Sequence, residues 1–339
     1  MSTPIVAVTM GDPAGIGPEI VARSLADVAP DAPLRPLAIG DAPVLRHAAR
    51  ICGLDVEVRP ITSVEQARFE PGTLEVLDLA ITGDDLAFGE VSADAGRSAV
   101  AAIETATRLA LDGEVAGITT APINKEAIWA AGSSHLGHTE MLGELTGTSR
   151  SGTMFVVDDL KIFFTTRHMS LREAIDRVTE DAVRHAIDES LTALRVLGHD
   201  APRLAVAALN PHVGEGGKFG TEEIDAIGPA CEAARAAGHN DVSGPVGADS
   251  VFHQGLQGRF DGVLSHFHDQ GHIAAKTWDF EGAITVTIGL PILRTSVDHG
   301  TAFDIAGQGV ASHRGLRAAL AAAGRFAPYA DRMRETYGA

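Results

Sequence analysis

Three histidines, His168, His212 and His268, each follow directly after an apolar, strand-like run. Three neutral imidazoles that converge in space suit Zn²⁺ or a similar divalent ion with one open coordination position. Taken one at a time, each is better explained as a hydrogen-bonded histidine of the surface or core. His266 alternates with His268, so both could bind one ion only if the strand has ended between them. On the residues alone, the metal site and the structural explanation both stay open.

Two cations are candidates for binding an anionic substrate. Arg294 stands between an apolar run and "TSVDHG", which is a poor place for a solvated charge, and Lys276 follows the histidine-rich stretch. Arginine offers a bidentate fork to carboxylate or phosphate, and lysine offers a point charge. In "GHTEM", Thr139 is either the N-cap of the next helix or, with His138, a substrate contact.

Two glycine-rich segments could approach a ligand closely. "GDPAGIGPE" could cradle an anion on backbone N–H groups, or it could be a tight structural turn. It does not match the Gly-x-Gly-x-x-Gly fingerprint of dinucleotide-binding proteins. In "DHGTAFDIAGQGVA", Gly300, Gly307 and Gly309 leave room for a flat ligand such as adenine, and Asp304 could accept hydrogen bonds from a ribose. The alternative for this second segment is an irregular connection.

The elements that must position these residues alternate as strand, loop and helix, which predicts an α/β fold with a largely parallel sheet or sheets. The segment 171–198 is predicted to be helical throughout. Five polar loops, "MGDPAGIG", "TTAPINK", "TTRHMS", "LNPHVGEGG" and "SHFHDQGH", each follow a predicted strand. Because ligands gather at the carboxyl ends of parallel strands, these loops are expected to build a single site.

Composition excludes some classes of function. The chain has 339 residues and a net charge of -18, which argues against binding to nucleic acid. Its two cysteines are expected to be reduced. No apolar run approaches the roughly 18 residues that span a bilayer, and the first residues lack a secretory pattern. These features predict a soluble, cytoplasmic protein.

The motifs also resemble a known family when they are read in order. "GDPAGIGPEI", "TAPINKEAI", "GHTE", "LNPHVGEGG", "GTEEID", "HDQG" and "GLPILRTSVDHGTA" are similar to the 4-hydroxythreonine-4-phosphate dehydrogenase family, which includes a 4-phospho-D-threonate and D-erythronate dehydrogenase branch. "HGTAFDIAG" is similar to the cofactor loop of the related isocitrate and isopropylmalate dehydrogenases. The resemblance implies two α/β/α domains of isopropylmalate dehydrogenase-like architecture, residues 1–130 with 290–339 and residues 131–289, and an active site in the cleft between them.

The resemblance further implies a homodimer with a shared active site, and oxidation by NAD, or NADP, with loss of CO₂. It implies Zn²⁺, Mg²⁺ or Co²⁺ at His168, His212 and His268. The implied substrate contacts are His138, Thr139, Lys276, Thr285 and Arg294. Lys276, or Asp269 through water, is the candidate base, and Gly300, Asp304 and Gly307 are the cofactor contacts.

Three departures from the family pattern bear on the substrate: Thr285 replaces an asparagine, Arg167 replaces a frequent threonine, and His272 replaces a frequent apolar residue. The expected substrate is 4-hydroxy-L-threonine 4-phosphate, as in pyridoxal phosphate synthesis. The first alternative is 4-phospho-D-threonate or D-erythronate in sugar-acid catabolism. A dihydrodiol dehydrogenase and a non-catalytic ligand sensor rank after it.

Overall fold

The structure is a computed structural model that describes residues 3–29, 31–82, 86–148 and 151–338. The chain divides into two compact units, the first comprising Met1–Gly152 with Ile284–Ala339 and the second Thr153–Ala283. Helices and strands alternate in both units, which confirms the predicted α/β class. In the described ranges, no helix combines the length and the apolar character needed to cross a membrane.

The sheet of the first unit is mostly parallel. Its strand order is β3-β4-β2-β1-β5-β12-β11, in which only β11 runs antiparallel to its neighbour β12. The strands are β1 (Ile5–Thr9), β2 (Arg35–Gly40), β3 (Glu57–Ile61), β4 (Thr73–Asp78), β5 (Gly117–Thr120), β11 (Ile284–Ile288) and β12 (Arg294–Ser296).

Helices cover this sheet because each presents an apolar face to it. Ala102, Ile103 and Ala106 of one helix pack with Leu37 and Ile118 of the strands in a fully buried core. The helices are α1 (Gly17–Ala26), α2 (Ala42–Ile51), α3 (Ala93–Leu111), α4 (Lys125–Ala130), α5 (His138–Leu145), α11 (Arg314–Phe326) and α12 (Ala330–Tyr337).

The second unit has a smaller sheet with the order β6-β7-β10-β8-β9, in which β6 is antiparallel to β7 and the other pairs are parallel. Phe155, Ile162 and Val263 form its core with Val251. The strands are β6 (Gly152–Val157), β7 (Leu160–Phe164), β8 (Leu204–Ala207), β9 (Val242–Val246) and β10 (Gly262–Ser265). The helices are α6 (Leu171–Asp176), α7 (Glu180–Val196), α8 (Gly228–Ala236), α9 (Ala248–Leu256) and α10 (His268–Trp278).

The prediction of one helix over 171–198 is wrong. The structure ends α6 at Asp176 and begins α7 at Glu180. The hydroxyl of Thr179 accepts a hydrogen bond from the Ala182 N–H, so Thr179 is an N-cap, and Glu180 and Asp181 supply negative charge to the first turn. N-cap geometry requires extended backbone at Thr179, which interrupts the helix.

The polar loops lie together at one sheet edge within each unit, and the single site expected from all five loops stays a prediction. The loops after β1 and β5 lie at the same edge of the first sheet because these strands are parallel neighbours. The loops after β7, β8 and β10 likewise lie at one edge of the second sheet. The candidate site residues are therefore placed by strand direction.

Close packing of α3 on α4 depends on Gly96. A Cβ atom on Gly96 would lie 2.0 Å from the backbone oxygen of Ala127 and 2.9 Å from the backbone nitrogen of Ile128. We expect Gly96→Ala to lower the free energy of unfolding by about 1–3 kcal/mol, because backbone atoms must move apart. Urea denaturation measures this, with Gly300→Ala as the control, since a Cβ on Gly300 meets nothing within 4 Å. Equal stability of the two variants would contradict the packing argument.

Candidate active site

A buried arginine carries the positive charge of the candidate site in the first unit. Arg294 is 7% exposed; its Nε and Nη2 donate to Thr120 Oγ1 at 3.2 and 2.8 Å, and its Nη1 donates to Thr287 Oγ1 at 3.0 Å. Within the described ranges no carboxylate pairs with the guanidinium. Burial lowers the pKa of Arg294 to about 10, so the side chain is still charged at neutral pH. A buried cation that has only hydroxyl partners is well suited to bind an anion.

His138 lies near this charge. It is the first residue of α5, and its Nε2 is buried with no hydrogen-bond partner in the part of the chain that the structure describes. Burial holds the pKa of His138 well below its usual range, and the charge of Arg294 lowers it further. The ring is therefore neutral at pH 7, and its Nε2 is available to a ligand. Thr139 follows in the first turn; because Gly137 occupies the N-cap position, the alternative of Thr139 as the N-cap is wrong.

The remaining predicted substrate contact of this unit is Thr285 on β11. Its side chain is 9% exposed, and its Oγ1 lies 3.4 Å from the backbone oxygen of Ser296 on β12. Among the residues that the structure describes, the hydroxyl is therefore held only by this long hydrogen bond across the antiparallel pair.

Asp12 is a candidate that the sequence reasoning missed. It is fully buried in the loop after β1; its Oδ1 accepts a hydrogen bond from the Ala14 N–H at 2.8 Å, and its Oδ2 has no partner within the described residues. Burial raises the pKa of Asp12 to about 6, although the N–H groups of Ala14 and Asn124 oppose the shift. The available signal was a carboxylate between a glycine and a proline at the end of a strand. Strongly shifted carboxyl groups of this kind concentrate at functional sites.

The two glycine-rich segments meet in the fold. The N–H of Gly307 donates to Glu19 Oε1 at 2.7 Å, the guanidinium of Arg23 donates to the Gly309 carbonyl, and the N–H of Ile16 donates to the Thr301 carbonyl at 3.0 Å. Glu19 is fully buried, and its Oε2 has no hydrogen-bond partner among the described residues. Helix α1 thus fixes the segment that the sequence suggests for cofactor binding.

Within that segment the three predicted contacts differ. Gly300 borders open space, and Asp304 is exposed. Gly307 has a φ of +79°, and a Cβ there would lie 3.0 Å from the Phe88 ring, so glycine is required for both conformation and space.

In the second unit, His168 and His268 come together. Their ring centroids are 5.7 Å apart, and Nδ1 of His268 lies 2.7 Å from Oδ1 of Asp269. A carboxylate accepts the hydrogen bond, so Nδ1 carries the proton and Nε2 keeps its lone pair. Two imidazoles that share one Zn²⁺ at about 2.1 Å have ring centroids roughly 5–6 Å apart, and the observed spacing fits this.

His212 does not join this pair within one chain. Across the described ranges, no group of three or more His, Cys, Asp or Glu side chains is placed to hold a metal ion. His212 begins a left-handed turn in which His212, Val213 and Glu215 have φ values of 51°, 58° and 46°. Such angles are costly for residues other than glycine, by about 1–2 kcal/mol each.

Glu223 holds the chain immediately before the left-handed turn. Its Oε1 accepts hydrogen bonds from the N–H groups of Leu209 and Asn210, both at 2.7 Å, and its Oε2 accepts one from Asn210 Nδ2 at 2.9 Å. Burial acts to raise the pKa of Glu223, but the hydrogen bonds from Asn210 and Leu209 outweigh it and lower the pKa. Glu223 therefore stays ionised and keeps the His212 turn in place.

His266 and Lys276, the other polar candidates near His268, have different surroundings. His266 is fully buried, with Nε2 2.7 Å from the Ala207 carbonyl and Nδ1 3.2 Å from Thr165 Oγ1, so it joins three strands of the sheet. Burial lowers the pKa of His266 to about 4, which makes it a neutral structural residue. The half-buried Lys276 has its Nζ 5.0 Å from the centroid of the Phe280 ring.

Comparison with known proteins assigns the family. The model of the pyridoxal phosphate biosynthetic protein PdxA family matches residues 32–323. The chain belongs to this family. A Cutibacterium acnes protein provisionally named D-threonate 4-phosphate dehydrogenase is 54% identical over 99% of this chain and 97% of its own length. A Symbiobacterium thermophilum protein with the same provisional name is 49% identical over 98% of this chain and 99% of its own length.

Solved structures agree with the assignment. The 4-hydroxythreonine-4-phosphate dehydrogenase of Klebsiella pneumoniae matches with a TM-score of 0.87 and 42% identity, over 96% of this chain and 98% of that structure. The predicted family and the predicted fold class are therefore confirmed. This PdxA-family chain is a dehydrogenase.

The buried carboxyl of Asp12 gives a prediction with a definite sign. The pKa of Asp12 is raised from 3.8 to about 6, so the folded state binds this proton more tightly than the unfolded state. Ionisation in the folded state therefore destabilises the protein above pH 6, by at most about 3 kcal/mol, and the penalty disappears as the pH falls below about 4. We expect Asp12→Asn to raise the free energy of unfolding at pH 7 and to have little effect at pH 4.

Urea denaturation at several pH values between 4 and 8 measures this difference. Asp176→Asn is the control, because Asp176 is exposed at the end of α6. A gain in stability from Asp12→Asn that is equal at pH 4 and pH 7 would contradict a penalty from ionisation.

Proposed function

We propose that this PdxA-family chain is an NAD-dependent dehydrogenase that oxidises the secondary hydroxyl of D-threonate 4-phosphate and releases its carboxylate as CO₂. The observation that carries the proposal is the buried Arg294 beside the neutral His138. The names of the two relatives at 54% and 49% identity support D-threonate 4-phosphate as the substrate. The substrate named for the solved structure, 4-hydroxythreonine 4-phosphate, is the second candidate.

The two candidate substrates share a phosphate, a carboxylate and the hydroxyl that is oxidised. They differ at the neighbouring carbon, which bears a hydroxyl in D-threonate 4-phosphate and an amine in 4-hydroxythreonine 4-phosphate. Thr285 stands where the family pattern has an asparagine, and it offers a hydroxyl in place of an amide. We propose that Thr285 belongs to the contacts that distinguish the two compounds.

Arg294 binds an acidic group of the substrate. Three of its five N–H donors are directed at the hydroxyls of Thr120 and Thr287, which fixes the plane of the guanidinium before the ligand arrives. His138 presents Nε2 in the same region, and Thr139 adds a hydroxyl in the first turn of α5. These neutral groups can hold oxygen atoms of the ligand without neutralising Arg294.

We propose that His168, His212 and His268 hold a divalent cation, Zn²⁺, Mg²⁺ or Co²⁺. The donor chemistry fits, because three neutral imidazoles suit such ions and the His168–His268 spacing is appropriate. Since one chain does not bring His212 to the pair, we propose that the set is completed in a homodimer. When bound, the cation supplies Lewis-acid stabilisation of negative charge on substrate oxygens.

Proton transfer and cofactor binding complete the proposal. Lys276 is the proposed base, and the contact of Asp269 with Nδ1 of His268 gives Asp269 the separate role of orienting that ring. The exposed Asp304 and the open space at Gly300 suit the ribose and adenine of NAD. A carboxylate near the ribose favours NAD over NADP, since it repels a 2′-phosphate.

The first test is NADH formation, followed by absorbance, in the presence of Zn²⁺, Mg²⁺ or Co²⁺. D-threonate 4-phosphate, 4-hydroxy-L-threonine 4-phosphate and unphosphorylated D-threonate are compared side by side. We expect kcat/KM to be about 10-fold or more higher for the first than for the second, because a polar site discriminates strongly between amine and hydroxyl. A higher kcat/KM for 4-hydroxy-L-threonine 4-phosphate would assign that compound as the substrate. Activity with none of the three compounds would overturn the proposal.

Arg294 gives a second test. Arg294→Lys keeps the positive charge but loses the bidentate fork, so we expect kcat/KM to fall about 10- to 100-fold. Steady-state kinetics measures the loss, and thermal unfolding checks that the fold is intact. Arg177→Lys is the matched control, because Arg177 is exposed and pairs with Glu173 at 2.8 Å on the surface of the second unit. Equal kcat/KM values for the two variants would show that Arg294 does not bind the substrate.

A further inference from the structure

His272 lies one helical turn after His268, on the same face of α10. The two imidazole rings are stacked, with centroids 3.7 Å apart and an angle of 10° between their planes. Nδ1 of His272 donates to the backbone carbonyl of His268 at 2.8 Å. The stack therefore limits rotation of the His268 ring about its own axis.

Two phenylalanines also contact the His272 ring. Its ring centroid lies 4.1 Å from that of Phe155 on β6 and 5.0 Å from that of Phe164 on β7. Gly271 lets the helix approach this closely, because a Cβ there would lie 2.6 Å from a Phe164 ring carbon and 2.8 Å from Ile162 Cγ2. His272 is thus held by core residues, and through the stack it restricts the motion of the His268 ring.

Two independent contacts then define the His268 ring. The stack on His272 fixes its plane, and the hydrogen bond to Asp269 at 2.7 Å fixes which nitrogen carries the proton. Together they determine where the lone pair of Nε2 points. The centroid of the His168 ring lies 5.7 Å from that of His268. A ligand that is oriented in advance loses less conformational entropy on binding.

We propose that His272 is a positioning residue that holds the His268 ring in its metal-binding orientation. This inference rests on the proposed role of His268 as a metal ligand. It assigns the replacement of a frequent apolar residue by His272 to ring stacking and to the hydrogen bond to the His268 carbonyl. An aliphatic side chain would supply neither a parallel π surface nor a donor.

The test is titration of the metal-free, full-length protein with Co²⁺, followed by visible absorption. We expect His272→Ala to weaken Co²⁺ binding about 10- to 100-fold, as is typical when a partner that orients a ligand is removed. His272→Phe keeps a flat ring for stacking and should recover most of the affinity. His272→Asn keeps a donor near the position of Nδ1 without the ring and should recover less. His253→Ala, at an exposed position on α9, is the control and should bind as the wild-type protein does.

The outcomes separate this inference from the proposal on which it rests. Loss of Co²⁺ binding in His268→Ala together with unchanged affinity and spectrum in His272→Ala would overturn the positioning role alone. Equal losses in the Ala and Phe variants would overturn stacking as its cause. Absence of Co²⁺ binding by the wild-type protein would overturn the metal set and this inference with it. Thermal unfolding of each metal-free variant distinguishes weaker binding from a damaged fold.

Discussion

Parallel pairing of strands is the constraint that places the candidate residues within each of the two units. Because β1 and β5 run in the same direction, the loop with Asp12 and the Thr120 that holds Arg294 lie at one edge of the first sheet. The same rule brings the loops after β7, β8 and β10 to one edge of the second sheet. Side chains distant in sequence thus become neighbours without long loops, and short rigid connections can carry them.

Several polar groups at these sheet edges lower the folding stability of the protein. Arg294 is a buried charge with hydroxyl partners, Asp12 is a buried carboxyl that titrates far above its usual pKa, and His212 stands at the start of a turn in disfavoured backbone geometry. Each arrangement is unfavourable by itself and persists because the packed sheets leave no alternative. Packing of the alanine-rich helices on the buried strands stabilises the fold and offsets the unfavourable free energy of these groups. A candidate site built this way is organised before any ligand arrives.

Sequence reasoning went furthest where periodicity and chain order carry the information. The alternation of strands and helices gave the α/β class, and the motif order gave the family. Sequence reasoning failed where the partner of a side chain lies far away in the sequence and is brought close only by the fold. Asp41 occupies the N-cap position of α2, but its carboxylate accepts hydrogen bonds from the hydroxyls of Thr82 and Ser98, both at 2.6 Å, instead of capping the helix. The burial of Asp12 and the stacking of His272 on His268 likewise depend on elements that no local pattern reveals.

The joining of Glu19 and Arg23 to the segment around Gly307 has a consequence for protein engineering. These two side chains lie on α1, almost three hundred residues before the backbone groups that they hold. A segment transplanted from another dehydrogenase to residues 300–310 would have to place a backbone N–H and a carbonyl at the same two points, because otherwise Glu19 and Arg23 would lose these hydrogen bonds. Helix α1 and this distant segment therefore form one module, and a redesign of the proposed cofactor segment has to exchange them together.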